Sequence, residues 1–242
     1  MRIGTSGWVY RSWRGAFYPS GTPQRRWLEY YSRAFDTAEI NATFYRLPTQ
    51  AAVARWREET PPDFVYAWKA SRFVTHMKRL REAELSLERV LGPMRALGPK
   101  LGPALFQLPP SLKRDLARLE DFLAVLPAEF RAVVEFRDRS WYVDDVYAAL
   151  ARAGAGFCVS DHHHAPAPWV ATTSLAYVRG HGPGGTYAGT YPDATLSAWT
   201  QRINGWRAEG RAVFVYFDND IGCAAPGDAM RLKRQLAESA AP

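Results

Sequence analysis

"RAVVEFRDRSWY", residues 131–142, decides the fold. Ala132, Val133 and Val134 read as a buried β-strand, and the run then ends in Glu135, Arg137 and Asp138. An apolar strand that finishes in charges has either reached open surface or carries those groups into a cleft. Equivalent positions elsewhere in the chain decide between the two.

Seven further short apolar runs occur, at 2–6, 37–41, 64–69, 104–108, 156–160, 175–179 and 212–217. Helical patterns separate most of them, at 23–34, 50–59, 83–97, 115–126, 143–153, 196–209 and 226–238. Thr22 suits the N-cap of the first helix and Pro23 its first position. The sixth run is followed instead by "DHHHAPAPWVATT" (161–173), which has two prolines and no amphipathic period. Strands alternating with helices argue for parallel pairing. Eight such units in 242 residues predict a single α/β domain over 1–242, a (β/α)8 TIM-like barrel with the helix after strand 6 missing or degenerate. A doubly wound sheet would have a Gly-rich first turn that opens a helix. Here "GTSGWVYRSWRG" (4–15) leads into an aromatic loop.

Barrel strands alternate their side chains in and out, and their C-terminal ends line one mouth. Read with period two, the second run places Thr37, Glu39, Asn41 and Thr43 on one face, and the third Val65, Ala67, Lys69 and Ser71. The fifth places Val133, Glu135 and Arg137 together, and the seventh Tyr177, Arg179 and His181. Gln107 ends the fourth run, and Asp218 and Asp220 follow the phase of Tyr216. The polar residues gather at one end of each strand, whereas an antiparallel sheet facing water is polar along its length. Glu135 and Arg137 are therefore expected to line a cleft. Two readings of the set stand side by side: a functional site, or an ion-pair network that neutralises charges the barrel buries.

Glu39, Glu135 and Asp218 are the candidate catalytic groups, as acid, base or metal ligand. Substrate contacts are expected from Trp8, Asn41, Tyr45, Lys69, Gln107, Arg137, Trp141, Arg179, His181 and Asn219. "RGHGPGGTYAG" (179–189) has five glycines and follows strand seven, where barrel loops bind phosphate through backbone N–H groups; mobility alone also explains such a loop. Asp161, His162 and His181 are of metal-ligand type but share no fixed spacing, so a divalent metal is a candidate cofactor only, and a solvated His run is the plainer account. The first loop interleaves Trp8, Tyr10, Trp13, Phe17 and Tyr18 with Arg11 and Arg14. That pattern suits stacking on bases or sugars, and equally a packed plug.

The net charge is +7, and 26 of the 31 basic residues are arginine. The excess admits an anionic small molecule or nucleic acid as partner; the scatter of the basic residues along the chain also fits a compositional bias. No stretch of about 18 apolar residues suggests a membrane span. Arg2 and Ile3 already begin a strand, leaving no room for a signal peptide. Cys158 and Cys223 match neither a disulfide framework nor a zinc spacing. A cytoplasmic protein of unknown oligomeric state is the expectation. The mouth suggests a hydrolase of a phosphate-bearing substrate. The alternatives are a glycosidase with Glu39 and Glu135 as its carboxylate pair, and a non-catalytic binding barrel.

"GTSGW" (4–8), "EINATFYRLP" (39–48), "KASRFVTHMKRL" (69–80), "LFQLPP" (105–110), "EFRDRSW" (135–141), "YVRGHG" (177–182) and "YFDND" (216–220) occur in that order over nearly the whole chain. Together they resemble the YecE-like family, also called domain of unknown function 72. The resemblance implies a TIM-type barrel with a polar mouth and supplies no activity. This chain has Gly180 where the family more often has Leu, and Asp138 where His is usual, which implies a looser end to strand seven and no ring nitrogen at position 138.

Overall fold

The structure is a computed structural model that describes residues 1–239. Eight strands follow in order: β1 (Arg2–Thr5), β2 (Thr37–Ile40), β3 (Val65–Lys69), β4 (Leu101–Gln107), β5 (Ala132–Glu135), β6 (Gly156–Ser160), β7 (Leu175–Gly180) and β8 (Ala212–Phe217). Each ladder is parallel and joins strands adjacent in sequence, with β8 returning to β1. The fold is the expected TIM-like barrel.

The ring closes between β1 and β2, where the ladder is thin. Ser6 bridges Glu39, and Gly7 N–H donates to the Glu39 carbonyl at 2.7 Å. Below that point Tyr31, from helix α1 (Trp27–Ala34), takes the place of missing strand bonds. Its hydroxyl accepts from Thr5 N–H at 2.9 Å and donates to the Thr37 carbonyl at 3.0 Å. Position 4 must be glycine, because a Cβ there would lie 2.3 Å from the Thr37 oxygen.

Alternation sorts the strand side chains as the period-two reading expects. Ala67, Leu105, Val133, Cys158, Tyr177, Phe214 and Tyr216 fill the barrel. Ile3, Ala38, Ile40, Trp68, Phe106, Val134 and Val178 face outward into the layer of helices. The lower barrel is thus mostly apolar, with the Thr37 and Tyr216 hydroxyls bonded to each other at 2.6 Å, and charged groups appear only above it.

The helices differ from expectation mainly at their ends. The first pattern splits into a 3₁₀ turn (Gln24–Arg26) and α1, and the Thr22 carbonyl accepts from the Trp27 indole while its side chain caps nothing. Next come a single turn, α2 (Ala42–Tyr45), and α3 (Gln50–Glu58), N-capped by Thr49. The pattern at 83–97 divides at Gly92–Pro93 into α4 (Ala83–Leu91) and tight 3₁₀ turns, Gly92–Lys100. Strand β4 then starts three residues before its apolar run, because Gly102 lets the backbone approach Tyr66 more closely than a Cβ allows. Helices α5 (Leu116–Ala124), α6 (Asp144–Arg152), α7 (Asp193–Ala208) and α8 (Ala224–Glu238) complete the ring. No helix lies between β6 and β7. Trp169 covers that gap, packing against Trp199 and Trp206.

The end of β7 is not loose. The space that a side chain at Gly180 would occupy is filled by Trp199 and the Tyr191 hydroxyl, 2.8 and 2.9 Å from an ideal Cβ. Asp138 has taken a structural role: it caps the turn Arg139–Trp141 and pairs with Lys113. Among the described residues, no helix is long and apolar enough to cross a membrane.

Candidate functional site

Arg179 rises from β7 into the middle of the mouth and is fully buried. Its Nη2 donates to Glu39 at 2.8 Å, to Asp218 at 2.8 Å and to Ser6 at 3.1 Å. Its Nη1 donates to Glu135 at 3.0 Å, and Nε faces both oxygens of Glu39 at 3.1 Å. Strands β2, β5 and β8 therefore deliver three carboxylates to the one guanidinium on β7. Glu39 also accepts from Ser6 and, at 2.6 Å, from the Tyr177 hydroxyl. Arg137 Nε lies 2.5 Å from Glu135 Oε1 as a close ion pair without hydrogen-bond alignment. Burial pushes the Glu135 carboxyl up, but Arg137, Arg179 and Lys69 outweigh it and hold it at about 2.

His181 shows how the cluster handles protons. Its Nε2 is 3.0 Å from both Arg137 and Arg179. Guanidinium groups only donate, so Nε2 accepts and the proton sits on Nδ1, 3.2 Å from Asp161. Burial and the two arginines keep the ring well below its usual pKa. With His181 neutral, Lys69, Arg137 and Arg179 stand against Glu39, Glu135 and Asp218, three charges of each sign. Within this set the cations do not outnumber the carboxylates, although the chain as a whole carries +7. Both arginines are committed to carboxylates.

Beside this cluster lies a cavity of about 500 Å³, lined by Trp8, Tyr10, Asn41, Tyr45, Trp56, Lys69, Tyr187, Asp218 and Asp220 among others. Asn41 donates to Ser6 at 2.6 Å and lies 3.5 Å from Asp218. Lys69 behaves unlike the arginines. Among the described residues its ammonium makes no hydrogen bond or salt bridge, and Nζ lies 4.3 Å from the centre of the Phe44 ring. Burial, helped by Arg179, lowers its pKa to about 8 against the pull of Glu135 and Asp218. Asp218 is raised by burial against the pull of Arg179, and Asp220 is raised to about 6 by burial and by Asp218. Two acids and an amine thus border the cavity with pKa values moved toward neutrality.

Several expected site residues lie elsewhere. Trp141 is fully buried, stacks on Phe136 at 4.7 Å and donates to the Leu112 carbonyl; it belongs to the layer outside the barrel. Asn219 ties β8 to α8 through Asp228 and to the 180s loop through the Gly189 carbonyl, each at 2.8 Å. Gln107 sits at the end of β4 and donates to the Leu108 carbonyl at 2.8 Å. Glu39 and Glu135 are wholly buried with Arg179 between them, so the pair expected of a glycosidase has no approach for a sugar.

The glycine loop is not an open phosphate cradle. His181 N–H is bound to Asp161, Gly182 N–H to Tyr191, Gly185 N–H to Gly182 and Tyr187 N–H to His181. Gly185, at φ 66°, serves close packing: a Cβ there would be 2.5 Å from Asp161 and His163 backbone atoms. Among the described residues no group of three or more His, Cys, Asp or Glu side chains is placed to hold a metal. Asp161 and His181 meet, but His162 stacks edge-on to His181 at 5.2 Å. In the first loop, Trp13 and Tyr18 are fully buried and Tyr18 stacks on Trp27, so the plug reading holds for them, while Trp8 and Tyr10 reach the cavity. Sequence reasoning missed Ser6, Trp56 and Tyr187. Ser6 continues the inward phase of Gly4, a signal that was present; Trp56 comes from helix α3, for which strand phase gives no signal.

A family model described as "Protein of unknown function DUF72" matches residues 2–242. The chain belongs to this family. Within DUF72, a protein from Thermotoga maritima MSB8 has a crystal structure with a TM-score of 0.86 and 26% identity, covering 98% of each chain. UPF0759 protein YunF of Bacillus subtilis is 26% identical over 269 residues, 98% of this chain and 93% of that one. UPF0759 protein YecE of Escherichia coli K12 is 37% identical over 116 residues. That match spans 48% of this chain and 43% of YecE, less than half the length of the relative.

Proposed function

We propose that the protein is an enzyme acting on a small phosphate-bearing substrate in the mouth cavity, with hydrolysis as the reaction. The observation that carries this is Lys69, a cation without a carboxylate partner among the described residues, in a cavity of about 500 Å³. That size falls within the range of small-molecule sites, roughly 300–1,000 Å³. Lys69 receives the anion and Trp8, Tyr45 and Trp56 receive the remainder. Asp220, with its pKa near 6, activates water as general base. Asp218, oriented by Arg179 and Asn41, carries the second proton transfer. Glu39 and Glu135 act as positioning residues that hold Arg179. A cavity of this size beside arginines already paired favours a monophosphate over a nucleic-acid duplex.

The test is phosphate release from p-nitrophenyl phosphate, a hexose phosphate and a nucleoside monophosphate, with and without divalent metal. Turnover lost in Lys69→Met and Asp220→Asn supports the reading. No turnover, together with no binding of inorganic phosphate by calorimetry, overturns it.

A further inference from the structure

The same amine suits a second chemistry. A lysine exposed to water is almost fully protonated at pH 7 and strongly solvated. Lys69 instead lies on the wall of an aromatic cavity, with its Nζ against the face of Phe44. The charged groups around it come from separate elements: Arg179 from β7, Glu135 and Arg137 from the end of β5, Asp218 from the end of β8, and His76, from the turn after β3, which the Lys69 charge helps hold at about 4, after burial. Arg137, Glu135, Arg179 and Asp218 already pair with one another. Lys69 is left with room in front of it and proton-transfer groups on the same cavity.

We propose that Lys69 is an imine-forming nucleophile for small aldehydes and ketones bound in the mouth cavity. This rests on the reading of that cavity as the substrate site, and not on hydrolysis. The Nζ lone pair adds to the carbonyl carbon as the C=O π electrons move to oxygen. The nitrogen gives up a proton and the oxygen takes one, giving a carbinolamine. A second proton on the hydroxyl lets it leave as water as the nitrogen lone pair forms a protonated C=N bond, with Asp218 or Asp220 moving the protons. No oxidant or reductant is needed. The iminium acidifies the neighbouring C–H, so enolisation is the activity it supports. Burial supplies the free amine: with a pKa of about 8, roughly a tenth of Lys69 is unprotonated at pH 7, against less than about a thousandth of an ordinary lysine.

The chain has five lysines, which makes the test direct. The folded protein is incubated at pH 7 with glycolaldehyde and sodium cyanoborohydride, and labelling of each lysine is followed by peptide mass mapping. Lys69 is expected to label roughly tenfold or more faster than Lys78, Lys113 and Lys233. Lys100 serves as an internal comparison, since it is buried but tied to the Arg57 and Thr60 carbonyls. Equal labelling of Lys69 and the surface lysines, with circular dichroism confirming the fold, overturns the proposal. A second measurement is exchange of the methyl and methylene protons of hydroxyacetone in D2O. Exchange retained in Lys69→Arg, which keeps the charge but cannot form the imine, also overturns it. Added inorganic phosphate separates the two readings: protection of Lys69 from labelling supports the anion site as well, whereas fast labelling without protection supports the imine and removes the anion.

Discussion

Replacing Arg179 with Met removes the centre of the mouth while keeping an apolar stem of similar length. In the wild type this guanidinium serves Glu39, Glu135 and Asp218, all buried. Breaking a buried ion pair by deleting one partner costs about 3–5 kcal/mol, because the surviving charge is left uncompensated. Three carboxylates lose a partner here, but they protonate instead of staying charged, so the cost is capped near the same figure. For a protein of this length, about 1 kcal/mol corresponds to roughly 2–4 °C in Tm, which gives a fall of roughly 6–20 °C at pH 7. The pH dependence gives an independent check. Glu135 is held at about 2 in the folded protein, below its ordinary value of about 4.3. Its contribution is therefore present above about pH 4.3 and is lost as the pH falls toward 2. Without Arg179 that carboxyl rises, so the variant is penalised at neutral pH and relieved by acid. Thermal melts by circular dichroism at pH 7 and pH 4 should show the gap between wild type and variant narrowing at pH 4. A Tm within about 2 °C of wild type at pH 7, or a gap that widens in acid, would refute the account of Arg179 as counter-ion to buried carboxylates. Lys at the same position should rescue only a small part, since one ammonium cannot replace a five-donor fork.

The remaining predictions concern the seam, the cavity and β7. Tyr31→Phe leaves Thr5 N–H and the Thr37 carbonyl without their bridge, and urea denaturation should show a loss of about 1–3 kcal/mol. Asp220→Asn should abolish turnover yet raise Tm at pH 8 and not at pH 4: an acid raised to about 6 opposes folding once ionised. The pH profile of kcat/KM should be bell-shaped, with an acid limb near 6 from Asp220 and an alkaline limb near 8 from Lys69; a flat profile across that range would remove both groups from the reaction. Gly180→Leu should lower Tm by several degrees, because the added side chain meets Trp199 and Tyr191.

Much of the barrel was legible because strand period is a local property. Val133, Glu135 and Arg137, or Tyr177, Arg179 and His181, reveal their shared face from sequence spacing alone, and all point inward as read. The missing helix after β6 was equally plain from the prolines at 166 and 168. Boundaries that depend on distant backbone were not legible. The early start of β4 at Leu101 depends on how close Gly102 comes to Tyr66, a contact across strands. Trp141 and Asn219, expected at the mouth, both follow strand ends closely in sequence, yet loop geometry turns one onto Phe136 and the other toward α8.

The division of charge inside the mouth lies beyond sequence for a physical reason. Strand phase states that Lys69, Arg137 and Arg179 approach Glu39, Glu135 and Asp218, but pairing depends on distances of an ångström. Arg179 lies at hydrogen-bond distance from all three carboxylates and Arg137 is 2.5 Å from Glu135, while Lys69 is turned onto Phe44. Of the two readings of the polar mouth, the ion-pair network is realised in Arg137, Arg179 and the three carboxylates, and the functional reading is the one proposed above for Lys69 and its cavity. The network occupies the dry centre, where five donors of one guanidinium satisfy groups that water cannot reach. By satisfying the carboxylates it leaves Lys69, the other strand-borne cation of the set, without a hydrogen bond or salt bridge among the described residues. Burial then outweighs the pull of Glu135 and Asp218 on Lys69 and brings it to about 8. Neutralising the network should accordingly alter Lys69 without touching it. In Glu135→Gln, the loss of a charge that supports the ammonium should lower the Lys69 pKa further and speed its reductive labelling at pH 7; slower labelling in a folded variant would show that the amine owes its state to something other than the arrangement around Arg179.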